Sequence, residues 1–162
     1  MPSLHVSSTA GGSILLSSLG NPLTVLYLYP MTARPGTPLP DDWDLIPGAR
    51  GCTPEACSFR DRYADLRALG VDLYGLSSQT SEYQHEAVTR LHLPFAILSD
   101  AQLKLTRAWR LPVFEAAGQT LLRRLTMVIR NGQVEQVWYP VFPPDRHADE
   151  VLAWLRDHPA DG

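Results

Sequence analysis

Leu23-Thr-Val-Leu-Tyr-Leu-Tyr29 is an unbroken apolar and β-branched run with the length of a strand buried on both faces, the pattern of a sheet covered by helices on each side. Pro30 ends it. A shorter run over residues 13–19 predicts an edge element that turns at Gly20-Asn21-Pro22. A helical period begins at Cys52: Phe59, Tyr63, Leu66 and Leu69 share one face and Gly70 stands where a C-terminal cap belongs, so the spacing predicts a helix from Cys52 to about Leu69. Residues 71–76 read as a second apolar strand. Ser81-Glu-Tyr-Gln84 has the form of a capping box and opens a second helix that must stop before Pro94; residues 95–98 form a third strand, and Asp100 caps a third helix through Trp109. Residues 125–129 and 134–139 flank Asn131-Gly132, a two-residue hairpin signal that makes them antiparallel neighbours. A last helix over 149–156 closes the chain.

This order predicts an α/β domain: a mixed central sheet with parallel crossovers and helices on both faces. In open sheets of this kind reactive groups gather beyond the carboxyl ends of the parallel strands, where the run ending at Tyr29 delivers the chain. Residues 31–50 interrupt the pattern with prolines at 35, 38, 40 and 47, two glycines and Asp41-Asp42-Trp43-Asp44. That composition predicts a long ordered loop or flap, with Trp43 as its apolar anchor.

The chain has 162 residues, 44% of them hydrophobic and 19% charged, enough for one domain with a real core. Its net charge of -3 offers no field for nucleic acid, and Arg107, Arg110, Arg123, Arg124 and Arg130 are too scattered to make a stripe. No run approaches a membrane span and no signal segment is legible, so the expected location is the cytoplasm. Two cysteines are too few for a disulfide-built secreted scaffold. A zinc site would need two more ligands, and His5, His85, His92, His147 and His158 fall in no ligand-like pairs; surface or helix positions are expected for all five.

The chemistry concentrates in Gly51-Cys52-Thr53-Pro54-Glu55-Ala56-Cys57-Ser58-Phe59-Arg60-Asp61. A cysteine at a helix start faces unsatisfied backbone N–H groups and the positive end of the macrodipole, both of which favour thiolate over thiol. Pro54 suits the first turn, and Glu55 can reach back toward the cap. Two thiols five residues apart at a helix start suit several redox chemistries.

This segment resembles the active site of peroxiredoxins, most closely the Q-type or bacterioferritin-comigratory-protein subfamily, where Gly-Cys-Thr-x-Glu-Ala-Cys-Ser-Phe-Arg-Asp is typical. The resemblance, which extends over residues 13–137, implies a thioredoxin-like fold and a thiol peroxidase that acts on hydroperoxides without metal, flavin or other cofactor. It assigns the peroxidatic role to Cys52 and the resolving role to Cys57, with recycling by thioredoxin or a similar dithiol, in a monomer or weak dimer. Arg124-Leu125-Thr126 matches the family's Arg-x-Thr, which implies that Arg124 lies near the sulfur, where Glu55 can orient it and the N–H groups of Gly51 and Cys52 can assist.

The family's Pro-x-x-x-Thr-x-x-Cys is broken here. Pro30 lies 22 residues before Cys52, and Ala49 stands where the threonine should be. Thr32, which follows the strand end, is the first candidate to replace that hydroxyl, ahead of Thr37. Two other readings stay open: a thioredoxin-like disulfide reductase or redox sensor, whose usual Cys-x-x-Cys spacing is absent, and a non-catalytic domain of the same fold. If Cys52 and Cys57 do pair, an ideal helix sets their Cα atoms roughly 8.6 Å apart. A disulfide tolerates about 7 Å, so oxidation must unwind the helix start.

Overall fold

The structure, a computed structural model, describes residues 3–20, 23–32, 43, 51–116 and 118–159. Most of the 31–50 stretch, including Thr37 and Ala49, and the turn residues Asn21 and Pro22 therefore lie outside the described residues.

Strand β3 (Leu23–Leu28) is buried along its whole length, as its apolar run requires. It pairs in parallel with β4 (Asp72–Ser77) and antiparallel with β8 (Leu125–Arg130), while β4 pairs in parallel with β5 (Ala96–Ser99). The parallel links are right for strands joined through helices: α1 (Cys52–Ala68) lies between β3 and β4, and α2 (Ser81–Leu91) between β4 and β5. β9 (Gln133–Trp138) follows β8 through Asn131 and Gly132, both at positive φ (52° and 79°), which is the backbone a two-residue hairpin needs. With β1 (His5–Ser8) and β2 (Ser13–Leu15), the described residues form a seven-stranded mixed sheet in the order β2-β1-β5-β4-β3-β8-β9.

Two apolar layers cover the sheet. On one face Ala56, Phe59 and Leu66 of α1 pack with Val151, Leu152 and Leu155 of α4 (His147–Asp157) against Val25 and Tyr27. The Tyr27 and Phe59 rings stack there with centroids 4.6 Å apart. On the other face Leu105 of α3 (Lys104–Trp109) and Leu16 pack on Leu26, Leu28, Met127 and Ile129.

Several expected elements shift. The run over 13–19 is a strand only to Leu15 and then a 3-10 turn at Leu16–Ser18, and β1 pairs with it where no strand was expected. The hairpin of β6 (Val113–Ala116) and β7 (Gln119–Leu122) was likewise not foreseen. α2 is capped by Thr80, whose hydroxyl accepts from the Tyr83 N–H, and not by a box at Ser81. Gln84 turns inward instead, donating to Ser77 Oγ and the Leu98 carbonyl. α3 starts at Lys104, one turn later than expected, yet Asp100 still serves it: its carboxylate accepts from the N–H groups of Leu105 (3.1 Å) and Thr106 (2.9 Å) and from the Thr106 hydroxyl (2.6 Å).

Those three bonds are buried, so deleting their acceptor strands two helix N–H groups away from water. Asp100→Ala is expected to cost about 2 kcal/mol in a denaturant unfolding experiment. A loss below about 0.5 kcal/mol would show that α3 needs no cap.

Candidate active site

Three pieces of chain converge at the carboxyl end of β3. The first is the start of α1. Gly51 precedes it in the left-handed region (φ 98°), and a Cβ there would come within 2.7 Å of the Pro144 ring, so the 3-10 turn Pro144–Arg146 closes down on this glycine. Cys52 follows, 6% exposed among Tyr27, Tyr29 and Phe59. Glu55 does not reach back to the cap. It turns into the protein and is fully buried.

The second piece is the entry to β8. Because β8 runs antiparallel to β3 and the last pair is Leu28 with Leu125, Arg124 arrives one residue further on, opposite the end of β3. It is 2% exposed. One guanidinium nitrogen donates to the Glu55 carboxylate at 2.6 Å and another to the Cys52 sulfur at 3.2 Å. Neighbouring Arg123 points elsewhere, its guanidinium 5.3 Å from the Phe114 ring centre.

The third piece is the chain leaving β3. Pro30 is buried, and the Met31 N–H donates to the Cys52 sulfur. Thr32 is buried too; its hydroxyl lies beside that of Tyr29 and forms no hydrogen bond of ordinary geometry among the described residues. Trp43 is buried against Phe114 and Leu121 with Met31 packed on the same cluster, the anchoring expected of it. Cys57 is half-buried on α1 and is not joined to Cys52 by a disulfide, and both lie within the same regular helix.

Electrostatics differ from the expectation that the helix start alone would favour thiolate. Burial pushes the Cys52 thiol above its ordinary value; Arg124 and the Met31 N–H pull it back, and Glu55 pushes it further up. Burial also raises the Glu55 carboxyl to about 7 despite Arg124, and its second oxygen, Oε2, has no hydrogen-bond partner among the described residues. Arg124 stays a cation, since both acidic neighbours favour its charged form.

His147 was expected at a surface or helix position; it does begin α4, but it is almost fully buried. Its Nδ1 lies 3.0 Å from the Glu150 carboxylate, which only accepts; Nδ1 therefore carries the proton, and Nε2 accepts from the Thr126 hydroxyl at 2.8 Å. Burial lowers its pKa and keeps it neutral. The helical spacing of His147, Ala148, Val151, Leu152 and Leu155 on one buried stripe was the sequence signal that could have found it.

Residues 1–152 match the family model described as Redoxin. The chain is 31% identical over 156 residues to the chloroplastic peroxiredoxin Q of Sedum lineare, covering 96% of this chain and 75% of that protein. To the chloroplastic peroxiredoxin Q of Suaeda salsa it is 28% identical over 96% of its length, and it spans 65%, just under two thirds, of that relative. The crystal structure of the peroxidoxin BcpB from Mycobacterium tuberculosis superposes with a TM-score of 0.76 at 27% identity, over 95% of this chain and 92% of that one. The chain belongs to the redoxin family and is a peroxiredoxin of the Q type, a branch of thiol peroxidases with the thioredoxin-like fold.

Proposed function

We propose that this protein reduces hydrogen peroxide or organic hydroperoxides with Cys52 as the attacking sulfur, Cys57 as the resolving thiol, Arg124 and Glu55 as the polar machinery, and Gly51, Pro30 and Thr32 around the peroxide. The observation that carries this reading is the Arg124 bridge to both the Cys52 sulfur and Glu55 in a buried site. The thiolate attacks one peroxide oxygen in line, an S–O bond forms as the O–O bond breaks, and the departing alkoxide or hydroxide takes a proton. Negative charge moves from sulfur to the leaving oxygen, and the forked guanidinium can follow it without moving. In this reading the buried hydroxyl of Thr32, which has no hydrogen bond of ordinary geometry among the described residues, donates to a peroxide oxygen, and Gly51 lets the chain turn tightly beside it.

Cys57 then attacks the sulfenic acid on Cys52, forming the disulfide and releasing water. Peroxiredoxins work with thioredoxin-like reductants; one thiol of such a dithiol partner attacks the disulfide, its second thiol resolves the mixed disulfide, and both cysteines are regenerated as the partner leaves oxidised. That recycling needs a reducing compartment, for which the cytoplasm is our reading, with the chain acting as a monomer or weak dimer. Among the described residues no helix is long and apolar enough to cross a membrane. A role as a disulfide reductase toward other proteins fits less well, because a cysteine that is only 6% exposed is harder for a protein disulfide to reach than for a small peroxide.

Two acids share one cation here. A neutral buried cluster holds only one anion, so Cys52 ionises most readily when Glu55 is protonated, as its pKa of about 7 permits near neutral pH. The same shift has a sign in stability. The folded carboxyl keeps its proton above 4.5, where the unfolded chain has lost it, so the Glu55 contribution falls as pH rises from 4.5 to about 7 and is flat above.

Cys52→Ser is expected to abolish peroxide consumption, whereas Cys57→Ser completes one turnover and stops at a sulfenic acid that a small thiol still reduces. If instead Cys52→Ser kept the first turnover and Cys57→Ser lost it, the two roles would be exchanged. In the wild type, mass analysis should find the 52–57 disulfide, with amide protection over residues 52–60 lower than in the reduced protein; undiminished protection would contradict the unwinding.

Glu55→Gln is expected to move the midpoint of Cys52 alkylation to lower pH and to remove the decline in stability between pH 4.5 and about 7. A midpoint that stays put or rises would show that the two acids do not compete.

A further inference from the structure

Gln79 takes no part in the chemistry just described, yet its side chain holds the segment that touches the reacting sulfur. Its amide oxygen accepts from the Thr32 N–H at 3.1 Å, and its amide nitrogen donates to the Thr32 carbonyl at 3.2 Å. That reciprocal pair is what a neighbouring strand offers a backbone residue. It appears where the strand itself has run out. The β3–β4 ladder ends at Leu28 with Leu76, the Tyr29 N–H still reaches the Leu76 carbonyl at 3.1 Å, and beyond Ser77 the backbone leaves the sheet to start α2 behind the Thr80 cap.

Gln79 is itself fixed on two sides. Its carbonyl accepts from the Ser99 hydroxyl at 2.6 Å, and its N–H donates to Ser77 Oγ at 3.3 Å. Ser77 Oγ is in turn held by the buried Gln84 amide at 2.8 Å. The ends of β4 and β5 thus anchor a side chain that extends the ladder by one rung. The residue before that rung is Met31, whose N–H donates to the Cys52 sulfur.

We propose that Gln79 is a positioning residue for the peroxidase site, whose amide clamps the Thr32 backbone and so keeps the Met31 N–H aimed at the Cys52 sulfur and the Thr32 hydroxyl beside it. The serines and Gln84 act through Gln79, and Gln79 acts through Thr32 and Met31. The inference rests on Cys52 as the reacting thiolate.

The test uses the full chain in a Cys57→Ser background, so that iodoacetamide reports Cys52 alone. Gln79→Ala and Gln79→Met both delete the clamp, and Gln79→Met keeps the bulk should the alanine variant fold poorly. Both leave Arg124, Glu55, Tyr27 and Tyr29, the titratable groups facing the sulfur, unchanged. Ser78→Ala is the control, since the Ser78 hydroxyl donates to the Thr120 carbonyl from the same turn without touching Thr32.

Loss of the directed N–H is expected to raise the alkylation midpoint by about one pH unit and to slow the first turnover with hydrogen peroxide roughly tenfold. Ser78→Ala should do neither. Midpoints and rates of both Gln79 variants equal to the parent would overturn the clamp, as would an equal shift in Ser78→Ala. A parent protein that consumes no peroxide would overturn the proposed function instead, while the comparison of midpoints would still decide the role of Gln79.

Discussion

The Arg124 guanidinium, 2% exposed, reaches the Cys52 sulfur with one nitrogen at 3.2 Å and the Glu55 carboxylate with another at 2.6 Å. A cation this deep costs several kcal/mol in lost hydration, and a single anion at about 4 Å returns on the order of 4 kcal/mol at an effective dielectric of 20. One ionised partner roughly balances the cost. Glu55 supplies it when the sulfur is a thiol, and the sulfur supplies it when Glu55 is protonated, so the cluster stays near neutrality while charge passes between its members. Burial works against the thiolate, and the local donors work for it. The site is therefore built around a sulfur whose ionisation depends on specific neighbours rather than on solvent.

Each neighbour is delivered by a different part of the fold. The antiparallel register of β3 and β8 brings Arg124 past Leu125 to the strand end. Two residues on, Thr126 ties that strand through His147 to α4, and the turn just before α4 sets Pro144 against Gly51, where no side chain would fit. From the other side the Gln79 amide and the Trp43 cluster hold Thr32 and Met31. The start of α1 lies between these supports and carries both thiols. In the proposed cycle, closing a Cys52–Cys57 disulfide would unwind that start, which Pro54 would ease because it donates no helical hydrogen bond.

The sheet's centre was legible because its signals are local and strong: an all-apolar run predicts a doubly covered strand, and Asn131-Gly132 predicts a hairpin. The edges were not. Val6 and Ser8 alternate over only four residues, and Val113–Ala116 has a single glycine turn to mark it, so both strands exist through tertiary pairing. In the site, the pairing of Glu55 with Arg124 was readable only through the resemblance, since 69 residues separate them. The burial of His147 was missed because a histidine carries no mark of burial beyond its position on an apolar stripe. The Cys52 environment was misjudged for a similar reason: helix position is visible in sequence, whereas desolvation depends on what packs around the helix.

The most direct measurement of the Arg124 role is the pH dependence of Cys52 alkylation in Cys57→Ser proteins carrying either Arg124→Met or Arg123→Met. Arg124→Met is predicted to raise the midpoint by more than about one pH unit, since it removes both a charge and a directed hydrogen bond from the sulfur, and to slow reaction with peroxide in proportion. Arg123→Met, which removes the same charge from a position over Phe114, should leave both nearly unchanged. Equal midpoints in the two variants would contradict the assignment of the buried guanidinium as the group that makes Cys52 reactive.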